Sequence, residues 1–399
     1  MMDKLLNTIK KFIPKPVFSF FQPYYHWLLS FSAAMLYGFP SKKLKVIGVT
    51  GTNGKSTVVA MLHAILDEAG GGVASVSSLR FKIKNREWKN TLKMTMPGRF
   101  KLQKFLRDAV SAGCKYAVIE TTSEGIRQFR HKGINFFMAV LTNVTPEHIE
   151  SHGSFENYRA AKAKLFYGAK VHVLNKDDSN LEFFCKIPAQ KKVLYSKKNL
   201  PADLHIKLEG DFNLENAAAA YFAAKELGVP EDTIKSALEK IEFIPGRLEF
   251  IQRQPFLVIV DYAHTPDALE KVYKTLKKLA PSPLPLAPKL ICVLGAAGGG
   301  RDKWKRPEMG RIAKEFCDEI ILTNEDPYDE QPEKILEDIG EGRKILDRRE
   351  AIFEALKSAN ARDIVIITGK GAEPWIMGPN GSKITWDDRR VARQELSKL

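Results

Sequence analysis

The chain has 399 residues, 44% hydrophobic and 27% charged, ordinary for a globular protein and long enough for two or three domains. Its formal charge of +15 suits an anionic membrane surface or a polyanionic small substrate; with no zinc-finger spacing and no aromatic–basic RNA signature, nucleic acid is not expected as a partner. Cys114, Cys185, Cys292 and Cys317 lie far apart with no CxxC pair, which excludes a zinc ribbon and a redox pair and predicts buried reduced thiols.

Lys4, Lys10, Lys11 and Lys15 precede a run without a charged residue from Pro16 to Ser41. Pro14, Pro16 and Pro23 interrupt its first half, so an unbroken helix is expected only after Pro23, too short for the ~20 residues that span a bilayer. The pattern imitates a signal peptide, but a nucleotide loop follows closely and argues for a cytoplasmic chain. Three readings stay open for residues 1–43: a helix packed on the next domain, an interfacial anchor with Trp27 and the tyrosines at headgroup depth, or a span.

Lys45-Val46-Ile47-Gly48-Val49-Thr50 is a β-branched run that stops at Gly51-Thr52-Asn53-Gly54-Lys55-Ser56-Thr57 and opens into the apolar helix Val58–Leu66. This is the strand–loop–helix context of a phosphate-binding loop. Gly51 and Gly54 let backbone N–H groups approach phosphate, Lys55 reaches the terminal phosphates and Ser56 offers its hydroxyl to Mg²⁺. Val49 stands where the usual spacing places the outer glycine. The loop resembles the ATP loop of the Mur ligases, ATP-dependent enzymes that join amino acids to the muramoyl peptide of cell-wall precursors and are relatives of the folylpolyglutamate synthases. The resemblance implies that Gly51, Thr52, Asn53, Gly54, Lys55, Ser56 and Thr57 bind ATP.

From Leu44 to about Ile244 apolar β-rich runs alternate with helical patterns. Strands are expected at 45–50, 116–120, 136–142 and 170–174, and helices near 56–68, 99–111, 156–166, 213–227 and 231–241. Such alternation predicts a mostly parallel sheet covered by helices. Glu120 ends a strand, where an acid meets the nucleotide's Mg²⁺. Glu120-Thr121-Thr122-Ser123-Glu124-Gly125-Ile126-Arg127-Gln128-Phe129-Arg130 resembles the stretch with which the family's tripeptide synthetases contact their nucleotide-sugar peptide, implying Ser123, Gln128 and Arg130 as substrate contacts. Thr95-Met96-Pro97-Gly98 is similar to a family substrate loop and adds Thr95. Thr142-Asn143 with Glu147-His148 and His152-Gly153 resembles a further signature, in which His148 ligates a second Mg²⁺ and His152 is structural. Ala160-Ala161-Lys162 through Leu165-Phe166 resembles the element whose first lysine is carbamylated. A lysine driven towards its neutral form reacts with CO₂ and becomes an anionic oxygen ligand. By the resemblance Lys55, Glu120, His148 and Lys162 are catalytic, and Ser56, Glu120, His148 and the Lys162 carbamate hold metal. Asn213 and Asn216 fall where the family flanks adenine; Asn213 also reads as a helix N-cap.

Pro245-Gly246-Arg247-Leu248-Glu249 matches the family's hinge phrase, placing a domain boundary between 44–245 and 246–399, with Arg247 carried over as an ATP contact. Beyond it strands are expected at 257–261, 290–294, 319–323 and 364–368, and helices at 266–279, 308–316, 332–339, 349–358 and 387–396, which suggests a Rossmann-like domain. Asp261-Tyr262-Ala263-His264 is similar to the phrase whose Asp and His approach the nucleotide, Asp261 and His264 here. Gly298-Gly299-Gly300-Arg301-Asp302-Lys303 reads as a ligand-facing loop. Glu325, Asp326 and Tyr328 fall where the family selects the incoming amino acid, and Tyr328 replaces the arginine that grips the distal carboxylate of diaminopimelate. Gly371 and Glu373 belong to the last such phrase, with Glu373 expected at the amino acid's ammonium.

The resemblance runs from about Leu44 to the C-terminus and implies an ATP-dependent amide ligase using two Mg²⁺ ions, a muramoyl-peptide donor and an amino acid. The family's N-terminal uridine-nucleotide domain has no counterpart in residues 1–43. The donor's handle, nucleotide or lipid, therefore stays open, as does membrane contact through residues 1–40. A folylpolyglutamate synthase-like ligase, a ligase acting on a lipid-linked precursor and a catalytically silent membrane-associated binding protein are the alternatives.

Overall fold

The computed structural model describes residues 15–92, 94–279 and 288–399. Lys4, Lys10, Lys11 and Pro14 of the N-terminal reading lie outside them. Helix α1 (Lys15–Leu36) opens the described chain and corrects the expectation that helix begins after Pro23. Pro16 falls in the first turn, where a missing amide costs nothing, and Pro23 removes one backbone hydrogen bond without ending the helix. Here Ser30, Ala33 and Ala34 are buried, and the segment lies against the helix Arg99–Ser111. Among the described residues no helix is long and apolar enough to cross a membrane.

The first domain follows as β1 (Lys45–Thr50), α2 (Lys55–Glu68), β2 (Val73–Val76), β3 (Arg80–Ile83), β4 (Arg86–Lys89), α3 (Arg99–Ser111), β5 (Tyr116–Glu120), α4 (Ser123–Arg127), β6 (Phe136–Leu141), α5 (Ile149–His152), α6 (Phe155–Ala163), β7 (Val171–Asn175), α7 (Leu181–Cys185), β8 (Lys191–Tyr195), α8 (Asp211–Glu226) and α9 (Glu231–Glu239). Its sheet runs β4-β3-β2-β5-β1-β6-β7-β8, parallel from β2 to β8. β1, β5, β6 and β7 are near-continuous buried runs because helices cover both faces. β3 and β4 extend the β2 edge antiparallel, and Arg86–Lys89 is exposed throughout, a charged strand that blunts the sheet edge.

The second domain continues as β9 (Glu249–Gln252), β10 (Leu257–Val260), α10 (Pro266–Leu279), β11 (Leu290–Leu294), α11 (Lys305–Phe316), β12 (Glu319–Leu322), α12 (Pro332–Ile339), β13 (Arg343–Lys344), α13 (Arg348–Ser358), β14 (Ile364–Ile367), β15 (Trp375–Met377), β16 (Lys383–Thr385) and α14 (Asp388–Leu396). The sheet β13-β12-β11-β14-β10-β9 is parallel except for β9, and β15–β16 is a separate antiparallel pair. Both sheets present the carboxyl ends of their strands to one cleft, where open α/β sheets bind ligands. The expectation of four reduced thiols is corrected at two of them. The turn from α11 returns the chain beside β11, with Asp318 N donating to Leu290 O at 2.8 Å, and this brings Cys317 to Cys292 as a disulfide with Cα atoms 6.1 Å apart. Cys114 and Cys185 are free.

Candidate active site between the two domains

The loop after β1 is built for close approach. Gly51 and Gly54 have φ of 155° and 83°, and a Cβ there would come within 1.8 Å of Thr142 Oγ1 and 2.1 Å of Asn216 Oδ1. Thr142 Oγ1 donates to Asn53 O at 2.6 Å, and Asn53 N donates to Asn143 Oδ1 at 2.9 Å, so the loop's shape is set by the residues after β6. Gly54 caps α2, whose free N-terminal amides face the cleft. Glu120, last residue of β5, accepts from Ser56 Oγ and from Ser78 N, each at 2.8 Å. A hydroxyl and a carboxylate oxygen at this separation fit Mg²⁺, which takes few protein oxygens and leaves the rest to phosphate and water. Among the described residues no three His, Cys, Asp or Glu converge as a ready-made metal cage.

Positive charge dominates the cleft floor. Lys55 Nζ donates to Thr52 O at 2.7 Å; burial lowers its pKa, Arg247 pushes the same way, and Glu120 and Glu147 oppose. Lys162 Nζ donates to Gly51 O at 2.6 Å and lies 4.4 Å over the Tyr158 ring. Burial, then the nearby Lys55, hold its pKa well below the lysine range. The His148 ring is 5.9 Å from that of Tyr158, at φ 57°, and burial with four neighbouring cations keeps its imidazole neutral. His148 and Lys162 thus flank one tyrosine, and a neutral imidazole beside a lysine whose charged form burial disfavours suits the second metal site that the resemblance implies. His152 packs edge-on against Tyr158.

A smaller cavity continues from the phosphate loop and is lined by Asn53, Thr57, Phe212, Asn213, Asn216, Arg247, Asp261 and His264. The N-cap reading of Asn213 is corrected. Gly210, at φ 94°, caps α8, and Asn213 sits in the first turn with Nδ2 on Glu209 O at 2.8 Å. Arg247 stacks at 4.1 Å over Tyr262 and reaches Ser56 Oγ at 3.4 Å. Asp261 is spent on backbone, accepting from Leu248 N and Ala263 N at 2.6 Å each. His264 Nδ1 lies 3.0 Å from Tyr262 O, with its pKa lowered by burial and then by Lys305.

The larger cavity, about 390 Å³, joins Lys55, Ser56, Glu120 and His148 to Thr95, Ser123, Gln128 and Arg130 on one side and to Glu325, Asp326, Tyr328 and Glu373 on the other. Arg130 donates to Gln128 Oε1 at 2.6 Å and to Met96 O at 2.5 Å. Asp326 takes both bonds of a 2.9 Å pair with Lys370 and a further one from Met377 N at 2.8 Å, so it shapes the wall. Glu373 joins Lys370 and accepts from Tyr262 OH at 2.9 Å. Glu325 is buried with Oε2 unpartnered, and burial pushes its carboxyl up to about 7 against the pull of Lys370. Gly371 does not line the cavity; its N–H donates to Asp388 at 3.1 Å. Tyr328 packs on Gly299, where a Cβ would meet its ring at 2.5 Å.

The loop read as ligand-facing also clasps the domains together. Asp302 accepts from Ile149 N at 3.1 Å and Glu150 N at 2.9 Å, while Glu150 accepts from Lys303 N at 2.7 Å. Lys305 forms a 2.9 Å ion pair with Glu147, the two side chains 3% and 4% exposed, and donates to His264 O at 3.0 Å. Lys305 was not singled out from the sequence; the one signal for the pair was Glu147 standing where the signature has Asp.

Comparison with known proteins follows this geometry. Residues 49–206 match the Mur ligase middle domain and residues 246–371 the glutamate ligase domain of Mur ligases. The chain is 37% identical over 403 aligned residues to the UDP-N-acetylmuramoyl-L-alanyl-D-glutamate–2,6-diaminopimelate ligase of Halalkalibacterium halodurans, covering 92% of this chain and 81% of that protein. It is 35% identical to the UDP-N-acetylmuramyl-tripeptide synthetase of a Roseiflexus species, with the same coverage. A solved structure of a diaminopimelate ligase of this kind aligns with TM-score 0.58 at 33% identity over 89% of this chain and 78% of that one. Folylpolyglutamate synthase from Mycobacterium tuberculosis aligns with TM-score 0.70 at 18% identity over 86% and 92%, a likeness of fold alone.

Two outcomes test the site's electrostatics. The folded-state pKa of Glu325 lies above its unfolded value, so its contribution to stability is full at low pH and is lost as pH rises through about 7. Glu325→Gln should therefore gain on the parent chain between pH 5 and pH 8 by on the order of 3 kcal/mol in chemical denaturation. Identical pH profiles would show that Glu325 ionises freely. Lys305→Ala leaves Glu147 buried without its cation and should cost about 3–5 kcal/mol, whereas Lys305→Met with Glu147→Leu should recover most of that stability. A near-neutral single variant would remove the pair from the account.

Proposed function

The chain belongs to the Mur ligase family, and on that premise we propose that it is an ADP-forming acid–amino-acid ligase adding an amino acid to a muramoyl-peptide carboxylate in peptidoglycan precursor synthesis. The observation that carries this is the one cavity in which the phosphate loop, Glu120 and His148 meet Gln128, Arg130, Glu325 and Glu373. A carboxylate is a poor electrophile, and the site supplies what its activation needs. ATP lies along the loop with its terminal phosphate at Lys55 and the α2 amides, and its nucleoside in the pocket of Asn213, Asn216 and Arg247. The donor, held from Thr95, Ser123, Gln128 and Arg130, presents its carboxylate to that phosphate; the P–O bond to ADP breaks and an acyl phosphate forms. The incoming amine, held beside Glu373 and Tyr328, loses a proton to Glu325, whose pKa near 7 suits a base. It attacks the acyl carbon, and phosphate leaves from the tetrahedral intermediate.

Bound Mg²⁺, two ions by the resemblance, would offset charge on the transferring phosphoryl group from Ser56 and Glu120 on one side and His148 with carbamylated Lys162 on the other. The lowered pKa of Lys162 supports the carbamate: a neutral amine there would add CO₂ and release a proton, leaving an anion beside Lys55. Residues 44–245 and 246–399 are read as the two domains that close on the substrates. Tyr328, in place of the family's arginine, argues for an incoming amino acid without a distal carboxylate, such as lysine. The reading sets the reaction in the cytoplasm, at the inner face of the membrane.

Incubation with ATP, Mg²⁺, UDP-N-acetylmuramoyl-alanyl-glutamate and single amino acids should release phosphate and yield one peptide heavier by an amino-acid residue, with lysine outperforming diaminopimelate. Absence of product with every amino acid would overturn the reading. Lys55→Ala and Lys162→Ala should each abolish product, and the parent chain should slow in CO₂-depleted buffer and recover with bicarbonate. Insensitivity to bicarbonate would remove the carbamate.

A further inference from the structure

Helix α1 has two unlike sides. Its inner side is small and polar or Ala, with Ser30, Ala33 and Ala34 buried. Its outer side carries Phe21, Tyr24, Trp27, Leu28, Phe31 and Met35, each 43–65% exposed, at the i, i+3/i+4 spacing of one helical face. Trp27 and Phe31 stack with ring centroids 5.6 Å apart. A contiguous apolar strip of this size on a water-facing helix marks a contact surface.

Composition and charge select the occupant. Tyr24, Tyr25 and Trp27 are the residues that favour the headgroup region, alternating with Phe, Leu and Met that enter the acyl boundary. Between Asp3 and Asp67 the chain has no Asp or Glu at all, and Lys42 and Lys43 stand exposed just beyond the helix. Arg99 lies within electrostatic reach of Tyr25, so a basic side chain of α3 borders the strip. Among the described residues no helix is long and apolar enough to cross a membrane, and a helix that joins an aromatic face to a cationic surround suits the plane of an anionic bilayer.

The strip is tied to the active site. Ser30 Oγ donates to Phe129 O at 2.7 Å, and a Cβ on Gly133 would meet Ala34 at 2.8 Å, so α1 seats the turn that carries Gln128 and Arg130. Arg99 donates to Gln128 O from the same side. We propose that the outer face of α1 docks on an anionic lipid surface and brings the Gln128–Arg130 edge of the cavity against it, so that the carboxylate donor is taken from a lipid carrier in the membrane. The identity of that edge as the donor side rests on the ligase reading above.

The test uses the full chain with Trp27→Glu and Phe31→Glu together, positions far from the cavity lining. The parent chain should co-sediment with phosphatidylglycerol vesicles, with a blue shift of its tryptophan emission that weakens at high salt, and at least about tenfold less with phosphatidylcholine. The double variant should lose about tenfold in partitioning and in ligation of a vesicle-borne muramoyl-peptide donor, while ligation of the soluble nucleotide-linked donor is unchanged. Equal partitioning of parent and variant overturns the proposal, as does no partitioning. So does a parent dimer that the variant dissolves without any lipid binding, which would assign the face to a second copy. Equal loss on both donors also overturns it, by reducing α1 to a structural element. Vesicle binding without ligation of either donor would sink the ligase reading and leave the docking face standing.

Discussion

Glu147 and Lys305 meet across the domain boundary at 2.9 Å with almost no solvent on either side chain. A buried ion pair adds little net stability over an apolar pair, but breaking it is costly. It therefore specifies one arrangement of the two sheets more than it stabilises either. That arrangement is the one in which the phosphate loop of the first domain and Arg247, Glu325 and Glu373 of the second share a cavity. Asp302, receiving two backbone N–H groups at the start of α5, fixes the segment that follows His148 to the same closed geometry. Catalysis in such a site is chiefly positioning, and the clasp does the positioning.

The second constraint is charge. Lys55, Arg247, Arg301 and Lys305 line a cleft in which Glu120 and Glu147 are the balancing carboxylates on the phosphate side. The excess suits a triphosphate, and each anion that enters lowers the cost of keeping these cations out of water. Burial pushes the Lys162 ammonium towards its neutral form and the Glu325 carboxyl up to about 7.

Much of this was legible in the sequence. The strands 116–120 and 290–294 and the helices 99–111, 266–279 and 332–339 were read to the residue, because their β-branched runs and amphipathic spacing agree with the surroundings that bury them. β4 was missed because a charged edge strand has no apolar period, and β2 and β3 because four residues each are too short to show one. Helix α1 runs through Pro23, which removes one backbone hydrogen bond without ending the helix. Asn213 lost the cap to Gly210, whose positive φ no propensity argument requires. The Glu147–Lys305 pair spans 158 residues, and the Cys292–Cys317 bridge depends on the path of a turn; neither leaves a local pattern. The phosphate loop and Glu120 were read from the strand–loop–helix pattern and a strand end, and His148, Lys162, Gln128 and Arg130 from the resemblance.

The most direct measurement of the central claim uses a muramoyl-peptide donor whose free carboxylate carries ¹⁸O. The account predicts that each turnover places one ¹⁸O in the released inorganic phosphate, because that oxygen forms the bond to phosphorus in the acyl phosphate and leaves with it. Peptide formed with unlabelled phosphate, or with the label in AMP, would contradict carboxylate phosphorylation in the closed cleft.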